Sequence, residues 1–343
     1  MSAPSLLLVA PDGPAAVPPE TELLGLPIVR RTVLAARRAG FSRVAVAGAS
    51  PESPLARALE GADVERLAAG APAPEGAVVL PWNRVLRAGE VRQLAAGRPA
   101  SELGVVLASE ADRPAAERWL LQGLIRDTEG FMSRHFERPV SLAVSRRLAD
   151  TAVTPNQMTI VSVAIGLFGA LFFLSQRPML QTVGALAFLL HSILDGCDGE
   201  LARLKLQESR FGGVLDFWGD NVVHAAIFGC MAIGWSRGVD AAWPLGLGAA
   251  AVAGTLASAG FVYWSTMRGE REGPLFVSVT SDVDGAVSRI ADALGRRDFI
   301  YLVIVLSFFG RANWFLVAAA AGAPIFFLVL LALEWRRARR EAT

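Results

Sequence analysis

Lysine is almost missing from the 343 residues: Lys205 stands alone, and arginine supplies the rest of the 33 basic side chains. A GC-rich genome accounts for that choice without a functional reason. Cysteine is equally scarce, and Cys197 and Cys230 both lie inside apolar segments. Two thiols so placed give no disulfide framework and read as reduced packing residues. Charge of either sign is thin, at 19% of residues, and the balance is only +1. No global pull toward nucleic acid follows from that balance. The start, "MSAPSLLLVAPDGP", lacks a basic n-region and has only a brief apolar run, so no secretory signal peptide is expected. What fills the space is apolar: 53% of the chain is hydrophobic and the mean hydropathy is +0.41. That exceeds the usual composition of a water-soluble protein, and the length allows two domains.

The first third does not share this character. "SLLLVA" (5–10), "RVAVAG" (43–48), "GAVVLPW" (76–82) and "LGVVLA" (103–108) read as short buried strands. "LPIVRRTVLAARRAG" between the first two has helical periodicity and stops at Gly40. Alternating strand and helix predict a small α/β layer over residues 1–112. Residues 113–153 carry apolar positions at helical spacing with arginines between them, the pattern of an amphipathic linker helix lying in a membrane interface.

Residues 154–343 hold the long apolar runs. A bilayer crossing takes about 20 such residues, and the candidates are 157–175, 179–202, 212–235, 242–267, 299–311 and 314–335. The fifth is short, and "RANW" after it suits a tight turn. With six crossings, nearly all arginines of the membrane half collect on one side, against only Arg177, Arg237 and Arg311 on the other. The positive-inside rule puts the crowded side, and both termini, in the cytoplasm. The expectation is a polytopic α-helical membrane protein with six transmembrane helices, preceded by a small soluble α/β domain.

Within this apolar background, "DGCDGELARLKLQESRFGGVLDFWGD" (195–220) gathers four aspartates. At 100° per residue, Asp195, Asp198, Gly199 and Ala202 share a face of the second span. Gly212, Asp216 and Asp220 share a face of the third. If the faces meet, four carboxylates converge, with small residues that let a helix or a ligand come close. Each charge costs roughly 2.5–3.5 kcal/mol at a helix centre. Divalent metal is the natural compensation, and oxygen-only ligation favours Mg²⁺ or Mn²⁺ over zinc, because Cys197 and His224 fall outside the carboxylate spacing. Two such ions suit phosphoryl transfer. Helix capping by Asp216 and Asp220, a cation transporter using intramembrane carboxylates, and a non-catalytic membrane scaffold are the competing readings. His191 and His224 read as polar residues packed within the bundle.

The stretch resembles the signature of the CDP-alcohol phosphatidyltransferase family, D-x-x-D-G-x-x-A-R, eight residues, then G-x-x-x-D-x-x-x-D. Asp195, Asp198, Gly199, Ala202, Arg203, Gly212, Asp216 and Asp220 match every fixed position. "TPNQMT" (154–159) resembles a second family feature, and the likeness covers about 113–343. It implies an enzyme of the phosphotransferase class. A CDP-linked alcohol, such as CDP-diacylglycerol or CDP-inositol, donates its phosphoryl-alcohol group to an acceptor hydroxyl, and CMP leaves. By that resemblance Asp195, Asp198 and Asp216 hold metal, and Asp220 is a further ligand or the general base. Gly199, Ala202, Arg203, Gly212, Asn156 and Thr159 face the CDP moiety. The expected surroundings are the prokaryotic cytoplasmic membrane, with the active site on its cytoplasmic side, and a second copy of the chain in a homodimer.

The order of an α/β domain, a linker and the spans is similar to fusions of a nucleotidyltransferase-like domain to this membrane enzyme, of the inositol-1-phosphate cytidylyltransferase/di-myo-inositol phosphate phosphate synthase type. The catalytic features of such a domain do not follow. "VAPDGPAAVPPETELLG" has no G-x-G-x-R loop, and "VVLPWNRV" stands where a metal-binding aspartate is usual. A degenerate scaffold or regulatory domain is therefore expected. Arg268, Arg271, Arg296 and Arg297 belong to the cytoplasmic set and are candidates to bind a phosphate on an alcohol-phosphate acceptor. "SDVDGAVSRIAD" (281–292) lacks an EF-hand's ligand pattern and reads as a connector.

Overall fold

The computed structural model describes residues 4–11, 17–50, 52–125, 132–267 and 299–341. It divides into two compact units. The first combines Met1–Asp127 with Leu142–Val153 and Glu200–Gln207; the second combines Thr128–Ser141, Thr154–Gly199 and Glu208–Thr343.

The first unit is built on β1 (Ser5–Val9), whose middle residues are fully enclosed. The hairpin β2 (Glu22–Leu23) and β3 (Leu26–Pro27) leads into α1 (Ile28–Arg38), which returns the chain to β4 (Arg43–Ala47) alongside β1. After α2 (Pro54–Ala58) comes β5 (Glu65–Leu67), and the chain then crosses to β6 (Ala77–Pro81) on the other side of β1. The sheet order is β5-β4-β1-β6 and every pairing is parallel, with Ser5 level with both Arg43 and Ala77. Three of the four strands anticipated from apolar runs take their places in this sheet. The fourth run forms only β8 (Val105–Val106), antiparallel to β7 (Arg84–Val85). The fourth strand of the parallel sheet is instead "ERL", too short and polar to announce itself. The helix α3 (Ala88–Ala95) covers the sheet core through Val91 and Leu94.

The described residues of 113–153 include two helices. The helix α4 (Arg113–Gln122) buries Ala116, Leu120 and Leu121 in a cluster with Leu23, Leu24 and Ile28. The helix α5 (Arg138–Ala149) follows a wider helical turn at Ser133–Glu137.

The second unit is a bundle of α6 (Pro155–Leu171), α7 (Pro178–Leu204), α8 (Arg210–Val239), α9 (Trp243–Val262), α10 (Phe299–Phe308) and α11 (Ala312–Glu341). Five segments are long and apolar enough to cross a membrane: Pro155–Leu174, Pro178–Leu204, Arg210–Val239, Trp243–Ser265 and Ala312–Arg336. The sixth expected crossing is represented among the described residues only by the 10 residues of α10, about 15 Å of helix at 1.5 Å per residue. A left-handed Gly310 ends α10, with Arg311 N–H reaching back to Leu306 O at 2.6 Å, so the anticipated tight turn begins one residue before "RANW". Large apolar side chains such as Ile160, Phe168 and Leu328 point outward, as lipid-facing residues do. Inside, Phe173, Phe188, Val223 and Leu316 fill the core. Where α9 meets α11, a Cβ on Gly254 would strike the backbone at Pro324, a helical proline with no N–H to lose.

Candidate active site

The site begins with how α6 starts. Thr154 Oγ1 accepts from Gln157 N–H at 3.3 Å, and Thr154 N–H donates to Gln157 Oε1 at 2.9 Å. This is a capping box, with Pro155 at the first helical position, where its missing N–H costs nothing. The box fixes the first turn, and Asn156 and Thr159 ride on it. Thr159 is buried and its hydroxyl donates to Asp198 Oδ2. Asn156 Oδ1 lies so near Gly212 that a Cβ there would approach it to 2.9 Å. Gly212 thus lets the start of α8 pass close to the start of α6. Ser209, which caps α8 by accepting from Gly212 N–H at 3.0 Å, sets where that helix begins.

On α7, Asp195 and Asp198 are both buried; on α8, Asp216 is half-buried. One carboxylate oxygen from each comes within 4.8 Å of the other two. As three anions they would repel by at least ~3.5 kcal/mol per pair at an effective dielectric of about 20, together of the order of a whole domain's stability. Asp216 Oδ1 is buried with no hydrogen-bond partner. Oxygen ligands facing one another across a hard cation stand roughly 4–5 Å apart. The donor set, the spacing and the unpartnered oxygen therefore fit a divalent metal ion, and this is the one such cluster among the described residues.

Asp220 stands one helical turn beyond Asp216 and is not one of that trio. Its Oδ1 lies 3.4 Å from Nε2 of His191 on α7. The other ring nitrogen, Nδ1, is 2.9 Å from Ser162 O. A carbonyl oxygen only accepts, so Nδ1–H donates to it and Nε2 is the atom presented to Asp220. Gly166 makes room for the imidazole: a Cβ there would come within 3.0 Å of the ring and closer still to Val223. His191 was expected to be a packed polar residue. It is buried, but its spacing of four from Asp195 puts it on the aspartate face of α7, a signal present in the sequence. His224 does pack, edge-on to Phe188 at 5.4 Å.

The second unit thus brings together Asp195, Asp198, Asp216, Asp220, Asn156, Thr159 and Gly212, with Gly199 in α7 beside Asp198. Ala202 and Arg203 lie in the last turn of α7, within the first unit. Arg268, Arg271, Arg296 and Arg297, and the "DVDG" stretch, lie outside the described residues.

Residues 152–274 match the CDP-alcohol phosphatidyltransferase family. The chain carries a CDP-alcohol phosphatidyltransferase domain. Three similar proteins place this transferase domain among named relatives. The bifunctional IPC transferase and DIPP synthase of Thermococcus kodakarensis is 40% identical over 118 residues, 34% of this chain and 26% of that one. The protein of the same name from Aquifex aeolicus is 27% identical over 229 residues, 66% of this chain and 49% of that one. The archaetidylinositol phosphate synthase of Pyrococcus horikoshii is 34% identical over 91 residues, 26% of this chain and 47% of that one. The matches span about half or less of these relatives' lengths. Among solved structures, the phosphatidylinositol phosphate synthase of Mycobacterium tuberculosis with CDP-DAG bound is similar at 18% identity and a TM-score of 0.44, covering 57% of this chain and 94% of that one.

Proposed function

We propose that the chain transfers a phosphoryl-alcohol group from a CDP-alcohol to an acceptor hydroxyl, with release of CMP. The observation that carries this reading is the cluster of Asp195, Asp198 and Asp216, with Asp220 one turn further along α8. Asp195, Asp198 and Asp216 would hold divalent metal, Mg²⁺ or Mn²⁺ as a pair of ions, with Asp220 at the edge of the set. A divalent metal held there would supply positive charge to offset the donor's diphosphate and the leaving phosphate.

The remaining work falls to the chain's own side chains. Thr159, by donating to Asp198, holds that carboxylate in one orientation. Asn156, Gly199, Ala202, Arg203 and Gly212 bind the CDP moiety, the glycines by letting it approach the backbone and Arg203 by gripping a phosphate oxygen. The acceptor oxygen bonds to the phosphorus that carries the alcohol, the bond from that phosphorus to the CMP oxygen breaks, and CMP leaves with the electron pair. Asp220 takes the acceptor's proton. His191, fixed through Nδ1–H to Ser162 O, presents Nε2 to Asp220 and orients that carboxylate.

The names of the relatives, which recur on IPC, DIPP and inositol phosphates, support an inositol-type donor or acceptor. Arg268, Arg271, Arg296 and Arg297 are proposed to hold an acceptor phosphate. The short apolar α10 supports a sixth crossing, which would put both termini on the arginine-rich, cytoplasmic face. The active unit is proposed to be a homodimer in the cytoplasmic membrane. Residues 1–112 are proposed to be a degenerate nucleotidyltransferase-like domain, 113–153 the linker and 154–343 the transferase. At the end of β6, Asn83 donates to Leu107 O at 3.3 Å and Arg84 to Leu103 O at 2.9 Å, which supports a structural use of that corner.

The test is to supply purified full-length protein with CDP-diacylglycerol or CDP-inositol, Mg²⁺ and inositol, inositol phosphate or glycerol phosphate, following CMP and product mass. CMP formed in step with a phosphodiester product supports the reading. No CMP from either donor with any of the three acceptors refutes it.

A further inference from the structure

The proposed donor-binding residues Ala202 and Arg203 are held from an unexpected direction. They sit in the last turn of α7, and that turn folds within the first unit, with the residues of the α/β layer. The helix ends on Leu206, which adopts the left-handed conformation at φ 53. Gln207 N–H returns to Ala202 O at 2.8 Å, the long bond of a Schellman turn. Glycine is usual at that position, because a side chain such as leucine's strains the left-handed backbone. Something must hold the turn against that strain.

The holding groups are arginines of α1. Arg31 is buried, and its guanidinium donates to Leu204 O at 2.8 Å, Leu23 O at 2.7 Å and Leu24 O at 3.1 Å. Burial draws its pKa down to about 10, which still leaves a cation at neutral pH. A cation on the carbonyls that end a helix is favourably placed. Arg38, on the same face of α1 two turns further along, donates to Leu206 O at 2.5 Å. The Leu206 side chain packs against the core of the parallel sheet, and Leu204 joins the cluster of Leu23, Leu24 and Ile28. Packing alone could be served by apolar residues. A buried guanidinium whose two terminal nitrogens donate to three backbone carbonyls instead fixes the backbone of one turn in one place.

We propose that Arg31, supported by Arg38, is a positioning residue for donor binding: it holds the end of α7 so that Ala202 and Arg203 meet the CDP moiety, which gives the α/β layer a function with no nucleotidyltransfer of its own. This inference rests on the proposed function, in which those two residues bind the donor. The experiment uses the full chain in detergent with Mg²⁺ and compares wild type with Arg31→Met, Arg31→Lys and Arg38→Met. CDP and CDP-diacylglycerol are the binding probes, and donor KM and kcat are measured for CMP release. The expected result is donor affinity at least about tenfold weaker in Arg31→Met, partly restored in Arg31→Lys, and several-fold weaker in Arg38→Met, with the acceptor KM little changed. If Arg31→Met does not fold, the exposed Arg38→Met decides. Folded Arg31→Met, or in its absence Arg38→Met, with wild-type donor Kd and donor KM overturns the inference alone. Wild type that neither binds CDP nor releases CMP overturns the proposed function with it.

Discussion

Asp216 is the residue on which the site depends most, because it brings α8 to the two carboxylates of α7 and keeps an oxygen without a partner. Asp195→Asn and Asp216→Asn are expected to abolish CMP release while leaving the fold intact, since an amide keeps the shape but not the anionic ligand. Circular dichroism and gel filtration beside the activity assay check both halves of that statement. Asp220 is expected to behave differently. Asp220→Asn should retain most metal and donor affinity while kcat falls about 10²–10⁴-fold. Metal affinity lost in step with rate would make Asp220 a ligand instead of a base. A change at His191, which touches the reaction only through Asp220, should lower kcat by about 10–100-fold, with donor KM held. The four aspartates were legible in the sequence because spacings of three and four fix a helix face without tertiary knowledge. The hydrogen bond from His191 to Ser162 O was not, because it depends on which carbonyl of α6 lies opposite, and no local periodicity encodes that.

At the scale of the element, the start of α6 and the loop between α7 and α8 set the geometry. Thr154→Ala removes the cap that fixes the turn carrying Asn156 and Thr159, and should cost about 0.5–2 kcal/mol. Thermal unfolding with and without CDP and Mg²⁺ measures it, and an unchanged midpoint would contradict the capping account. The capping box was written in "TPNQ" and could be read from the sequence alone, as could the lengths of five spans. The loop after α7 was less legible. Leu206 in a left-handed conformation breaks the local rule that glycine ends a helix, and only the residues packed around it explain why it is tolerated. The strand "ERL" was hidden for a similar reason: its place beside β4 gives it a ladder that its composition does not announce.

For the whole molecule, the parallel sheet and the apolar bundle were both visible in composition, since one half alternates short apolar runs with helices and the other is continuously apolar. The boundary between the two units was not. Residues 142–153 and 200–207 fold with the first unit although the sequence assigns the former to a linker and the latter to the end of the second span and the connection after it. Glu117 illustrates why: it is buried between Arg113 at 3.0 Å and Arg146 at 2.8 Å, a bridge between α4 and α5 that pairs residues far apart in the chain. The first unit is expected to make no CDP-alcohol from CTP and inositol phosphate, because the glycine-rich loop with its basic residue is missing; nucleotide product from the full-length chain would contradict this. We propose that the aspartate cluster drives a metal-dependent release of CMP. The most direct measurement is the rate of CMP release from CDP-diacylglycerol or CDP-inositol by full-length protein stripped with EDTA and then titrated with Mg²⁺ or Mn²⁺. The predicted result is no release in EDTA, recovery with either ion, and no recovery in Asp216→Asn; full release in excess EDTA, or recovery in Asp216→Asn equal to wild type, would contradict it.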